Sequence, residues 1–202
     1  MSDLLTRVES DETWRRATFP TCRDHIFMAH AAVTAIPQPA VDEMNNFNIA
    51  TSTGYLDYSE VLLKQMDEVR KSGAYLLECD SDEVALLGPT SLGLSLVANG
   101  IDWQAGDEIV TYFDDYPANV YPWKKLEEKG VNVVFLRPER MGEITPELVS
   151  AAITPRTKIL ALASNNFLSG YRLDIEATSE LASERNIPVS YTHLRAHETP
   201  RH

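Results

Sequence analysis

The chain has 202 residues, of which 44% are hydrophobic and 24% charged, enough apolar side chain to bury one large core. Its formal net charge of −12 disfavours nucleic acid and anionic membrane as partners, since both repel an acidic surface, and leaves a small-molecule substrate as the expectation. The two cysteines, Cys22 and Cys79, have no CxxC or metal-ligand spacing, so neither a disulfide framework nor a metal site is expected, and a reducing, cytoplasmic setting fits them. No apolar run has the form of a signal peptide or a membrane span.

An amphipathic opening helix leads to a short strand candidate, Ile26-Phe27-Met28, and then to a loop of small residues around His30 and Ala31 that reaches Pro37 and Pro39. Helices are predicted over about 39–48 and about 55–77; in the second, Leu62, Met66, Val69 and Gly73 recur at three and four, the stripe of a packed helix. The period then changes. Glu83 to Leu87 reads as a strand ended by Gly88-Pro89, and from Thr90 a helix carries Leu92, Leu96, Val97 and Ile101. The unit repeats as strand 108–112, helix 118–129, strand 131–136, helix 145–152, strand 158–163, helix 174–185 and a strand opening at Ile187. Short apolar strands alternating with helices predict an α/β fold with a mainly parallel sheet covered on both faces. Ligands gather at the carboxyl ends of such strands, which directs attention to the loops after Leu87, Tyr112 and Ala163.

The first loop, Gly88-Pro89-Thr90-Ser91-Leu92-Gly93, brings backbone N–H groups, a helix dipole and two hydroxyls together, the chemistry of a phosphate site. The competing reading makes Thr90 or Ser91 an N-cap. A P-loop is excluded, because Leu94 stands where its lysine must be, and there is no GxGxxG fingerprint. The second loop, Asp114 to Trp123, offers Tyr116 as a ring that stacks on a planar cofactor, while Tyr121 and Trp123 read as packing residues. In the third, Ser164 to Asp174, Asn165 and Asn166 are either hydrogen-bond partners of a phenolic oxygen or ordinary turn formers, and Asp174 reads as an N-cap.

The final residues break the pattern. Three of the five histidines, with Arg195 and Arg201, fall in the last ten residues, where THLRAHETPRH has no apolar period. A buried strand should continue as an apolar run, so the strand beginning at Ile187 is read as spliced to foreign sequence. The expected organisation is an N-terminal segment over 1–36, a partial large domain over 37–190 and an aberrant tail over 191–202 that packs little.

Taken in order, FMAHAAVTAIP, LLGPTSLGLSLVANGIDWQAGDEIV, DDYPANVYPW and SNNFLSGYRLDI resemble segments of the class V aminotransferase-like enzymes that use pyridoxal 5'-phosphate (PLP). That group includes cysteine desulfurases, kynureninases and isopenicillin-N-epimerase-like proteins, and the match runs from about Phe19 to Val189. The resemblance implies an incomplete fold type I PLP-dependent transferase large domain and a homodimeric parent. It also implies an amino acid substrate and chemistry of aminotransferase, lyase or epimerase type. Carried over by position, Thr90 and Ser91 contact the cofactor phosphate, and Tyr116 replaces a stacking His, which makes desulfuration the less expected reaction. Asn165 and Asn166 lie beside the pyridine ring, with the family's ring-contacting Asn aligned to Phe167, and His30 and Ala31 belong to the substrate loop. The family's pyridine-pairing Asp falls at Thr192 and its Schiff-base lysine further on, so the parent is expected to be an enzyme and this chain inactive. The alternative is a non-catalytic α/β phospholigand-binding or interaction module.

Overall fold

The structure, a computed structural model, describes residues 2–28, 34–54 and 60–192. His30, Ala31 and the segment from His193 onward lie outside the described residues. The chain divides into two units, Met1–Glu68 and Val69–His202.

The first unit is helical, with α1 (Ser2–Ser10), α2 (Glu12–Thr18), a 3₁₀ turn at Pro20–Cys22 and α3 (Gln38–Ser52). Asp11 starts α2 by accepting the Trp14 N–H at 2.9 Å. The strand expected at Ile26 to Met28 does not form; Ile26 is 93% exposed. Three apolar residues without a neighbouring ladder gain nothing from extension. Helix α4 (Glu60–Leu77) forms as predicted, but its stripe is not packed: Met66 and Val69 are exposed, and Ala74 is its buried residue.

The second unit is built on four parallel strands, β1 (Glu108–Tyr112), β2 (Asn132–Leu136), β3 (Thr157–Ala163) and β4 (Val189–Thr192), in the order β2-β1-β3-β4. Alternate side chains of β1 enter two cores, as the two-residue period of a strand requires. On one face Val110 and Tyr112 join Leu136, Leu160, Leu162, Val149 of α7 (Pro146–Ala152) and Ala182 of α8 (Ile175–Glu184). On the other, Ile109 joins Ile159 and Ala161 against Leu94 and Ala98 of α5 (Thr90–Gly100) and against Trp123 of α6 (Tyr121–Lys124). This is a fold type I large-domain architecture, an α/β sheet covered on both faces.

In the second unit two elements differ from expectation. Residues 83–87 do not form a strand: the Asp80 and Glu83 side chains make a capping box that winds Ser81–Glu83 into a 3₁₀ turn, and Val84 beyond it is extended but unpaired in any described sheet. The helix expected over 118–129 is instead a 3₁₀ turn (Pro117–Asn119), α6, and a second 3₁₀ turn (Lys125–Lys129). Pro117 and Pro122 each restart the winding, because a proline has no N–H to continue a ladder. The strand opening at Ile187 appears as β4 and reaches Thr192. Tyr191 and Thr192 pair with Leu162 and Ala163, so the expected lack of packing does not hold for the first two residues of the tail.

Candidate functional site

Helix α5 begins without a side-chain cap. Its N-cap is Pro89, extended at φ −62° and ψ 153°, so Thr90 and Ser91 occupy the first helical turn and the capping reading of their hydroxyls is not what forms. The Thr90 and Ser91 amides of that turn have no intrahelical acceptor and carry the positive end of the helix dipole, while the Leu92 N–H donates to the Pro89 carbonyl at 2.8 Å. The turn opens on a cavity of about 330 Å³ lined by Leu87, Gly88, Pro89, Thr90, Tyr191 and Thr192 among others. Thr192 is 6% exposed and its hydroxyl has no hydrogen-bond partner among the described residues. A buried polar atom left unpaired is costly, and here it lies at the wall of the same cavity as the bare helix terminus. The neighbouring Tyr191 is anchored differently, its phenol 3.1 Å from the Ser179 hydroxyl and 3.4 Å from the Ile175 carbonyl that accepts from it. Burial pushes that phenol above its ordinary range, so it stays neutral.

The second and third loops meet at the carboxyl ends of β1 and β3. Tyr116 and Phe167 are in edge contact, ring centroids 5.4 Å apart and planes at 90°. Beneath Tyr116 runs a buried polar chain: the Tyr116 N–H donates to one Asp115 oxygen at 2.6 Å, the Asn119 amide to the other at 2.9 Å, and the Trp123 indole to the Asn119 carbonyl at 3.2 Å. Asp115, Asn119 and Trp123 are buried, so this loop is fixed from below while its tip stays open. The 3₁₀ turn that follows Tyr116 packs on α5, which places the second loop beside the first.

Asn166 is the turn former of the third loop. Its amide oxygen accepts from the Leu168 N–H at 3.1 Å, the Ser169 N–H at 2.9 Å and the Ser169 hydroxyl at 3.1 Å, while its NH₂ donates to the Asp114 carbonyl at 3.3 Å. Asn165 bridges to Arg172 through the backbone and donates to the Ser164 hydroxyl at 3.4 Å. The structure therefore brings Thr90, Tyr116, Asn165 and Asn166 to one end of the sheet, with Ser91 next along α5 and exposed. It does not pack Tyr121, which is 65% exposed.

Sequence reasoning missed Asp115, Asn119 and Gly142. The first two were legible in principle, because Asp115, Asn119 and Trp123 are spaced four apart. Gly142 gave no signal. Its N–H donates to the Tyr112 hydroxyl at 3.0 Å, and it sits at φ +75° so close to the third loop that a Cβ there would meet Asn166 Cγ at 2.6 Å.

These residues fit PLP. An uncapped helix terminus with two hydroxyls suits the phosphate, two open aromatic rings suit the pyridine, and the unpaired Thr192 hydroxyl awaits a polar partner. Among the described residues, no lysine lines the cavity.

A family profile described as aminotransferase class-V matches residues 26–191. Among curated proteins, the probable cysteine desulfurase of Methanothermobacter thermautotrophicus is 27% identical over 173 residues, covering 84% of this chain and 43% of that protein. The chain thus spans less than half the length of that relative. Among solved structures, the cysteine desulfurase CsdA of Escherichia coli superposes with a TM-score of 0.75 at 25% identity, over 88% of this chain and 47% of that one. The cystine C-S lyase C-DES, solved with cysteine persulfide, gives 0.76 at 15% identity over 90% and 50%, a likeness of fold. From the family match and the sheet that carries it, the chain belongs to the aminotransferase class-V family.

Proposed function

We propose that this chain is the cofactor-binding core of a PLP-dependent enzyme acting on an amino acid. The observation that carries the reading is the uncapped start of α5, opening on the cavity that also holds the unpartnered Thr192 hydroxyl. When bound, PLP supplies an electron-withdrawing ring that weakens bonds at the substrate's α-carbon. The chain's own residues bind and orient it. The Thr90 and Ser91 amides and hydroxyls at the start of α5 would hold the phosphate dianion, and Tyr116 would hold the ring flat. The Thr192 hydroxyl offers the ring a neutral hydrogen bond where a carboxylate would hold a proton on the ring nitrogen.

The relatives are named as desulfurases, yet Tyr116 lacks the imidazole that moves protons near neutral pH, so sulfur transfer is the less supported of the amino acid reactions. The cofactor's aldehyde needs an amine that the described residues of the cavity lining do not provide, and the chain alone is proposed to be inactive. If the bases after codon 189 come from elsewhere, the parent carries another residue at 192; resequencing the locus decides this and leaves the phosphate turn untouched. The parent is proposed to be a homodimer, in keeping with the exposed Leu92, Leu96 and Val97 on the outer side of α5.

Titrating the chain with PLP tests the reading. Saturable binding is expected, weakened at least about tenfold in a Thr90→Val, Ser91→Ala double variant. Borohydride reduction followed by mass spectrometry should give no stoichiometric adduct on a single lysine; finding one would overturn the proposed inactivity.

A further inference from the structure

The loops that leave β1 and β2 at their carboxyl ends line a cleft of about 600 Å³, and its lining shares no residue with the cavity at the start of α5. Its size and mostly apolar walls are those of a small-molecule site. Phe113 and Phe135 meet edge to face, ring centroids 5.4 Å apart and planes at 87°, and Met141 adds a thioether side chain. Phe113 and Met141 are each more than half exposed. Two opposite charges stand in the same lining, Arg137 and Asp114. Arg137 makes no hydrogen bond or ion pair among the described residues, and the Asp114 carboxylate accepts from the Tyr112 hydroxyl across a long 3.4 Å. A guanidinium fork and a carboxylate that share a cleft without pairing leave a donor and an acceptor for a third body. The floor between them is fixed. The Tyr112 hydroxyl accepts the Gly142 N–H at 3.0 Å, and the Asp114 carbonyl accepts from the Asn166 amide at 3.3 Å, so a ligand spends little on ordering it.

We propose that this cleft binds a free α-amino acid with a large apolar side chain, its carboxylate on Arg137, its ammonium at Asp114 and its side chain against Phe113, Phe135 and Met141. The guanidinium fork matches a carboxylate in two parallel hydrogen bonds, and the rings and the thioether suit an apolar or aromatic side chain. A zwitterion is neutral, so the net charge of −12 does not oppose its approach as it would that of a bare carboxylate. None of the residues that face the amino acid is assigned to the cofactor, and the two sites stand or fall separately.

Ligand-observed NMR titration of the whole chain with L-phenylalanine, in the absence of PLP, provides the test. Saturable binding is expected. N-acetyl-phenylalanine, phenethylamine and glycine, which lack in turn the ammonium, the carboxylate and the apolar side chain, should each bind at least about tenfold more weakly. Arg137→Gln and Asp114→Asn should each weaken phenylalanine about tenfold and Phe113→Ser at least about threefold, while the Thr90→Val, Ser91→Ala double variant leaves it unchanged. Unaltered melting curves establish that the variants are folded, as the exposure of Arg137, Asp114 and Phe113 leads one to expect. The assignment is overturned if the unaltered chain shows no saturable binding, if N-acetyl-phenylalanine and phenethylamine bind as well as phenylalanine, or if Arg137→Gln binds phenylalanine like the unaltered chain. Should the double variant lose phenylalanine while Arg137→Gln keeps it, the amino acid sits in the cavity at α5 and the cleft is refuted.

Discussion

Glu108 shows how a single residue ties two strands. It is buried at the start of β1, and its carboxylate accepts from the Thr154 hydroxyl at 2.5 Å and from Arg156 at 2.7 and 3.0 Å. The Thr154 hydrogen bond, opposed by burial and joined by Arg156, holds the carboxyl below its ordinary range. A carboxyl depressed in the folded state contributes its stability in full above the unfolded value, about 4.3, and loses it as pH falls through the folded value. Glu108→Gln should therefore cost about 2 kcal/mol at neutral pH. The gap to the unaltered chain should narrow below about pH 4, read from urea melts across pH. Gly142 is the second position where one atom matters. A methyl group there meets Asn166 and Ser169 and has to adopt φ +75°, so Gly142→Ala should lose about 2–3 kcal/mol and loosen the third loop, seen as faster amide exchange at Leu168 and Ser169.

At the scale of elements, α8 depends on one side chain at its start. Asp174 accepts the Ala177 N–H at 3.0 Å, and Asp174→Ala should cost about 1 kcal/mol in a thermal melt. That cap was legible in the sequence, as were β1, β2 and β3, because each is a short apolar run with a partner in the sheet, β1 and β3 on both sides and β2 on one. Residues 83–87 and 26–28 carry the same kind of run but join no described sheet, and composition does not reveal whether a ladder exists. The start of α5 could be read from Gly88 to Gly93, since helix starts follow local rules. The Gly142 contact joins residues 24 or more positions apart in the chain and depends on packing that no local pattern encodes. The helical spacing in α5 did not reveal its buried face. Leu94 and Ala98 meet the sheet, while Leu92, Leu96 and Val97 face outward, an ambiguity built into a helix that is apolar all round.

For the molecule as a whole, β4 ends the sheet with one edge unpaired among the described residues, and Leu86, Leu87, Leu92 and Leu96 leave apolar surface open near the start of α5. Open edges and apolar patches drive association, so the chain should self-associate at micromolar concentration and bind a hydrophobic dye. Light scattering after size exclusion checks this; a monodisperse monomer with one sharp thermal transition would establish a self-sufficient domain. The order β2-β1-β3-β4 also bears on the sequence of events at the ribosome. Both neighbours of β1 are encoded after it, and the last residue of β3 follows the last residue of β1 by 51 positions, from Tyr112 to Ala163. At ordinary translation rates that interval lasts roughly 3–10 s. Throughout it, a strand whose five side chains are all buried in the finished sheet waits with one edge unclaimed, which makes the nascent chain between those two points the natural client of a chaperone that grips extended apolar segments.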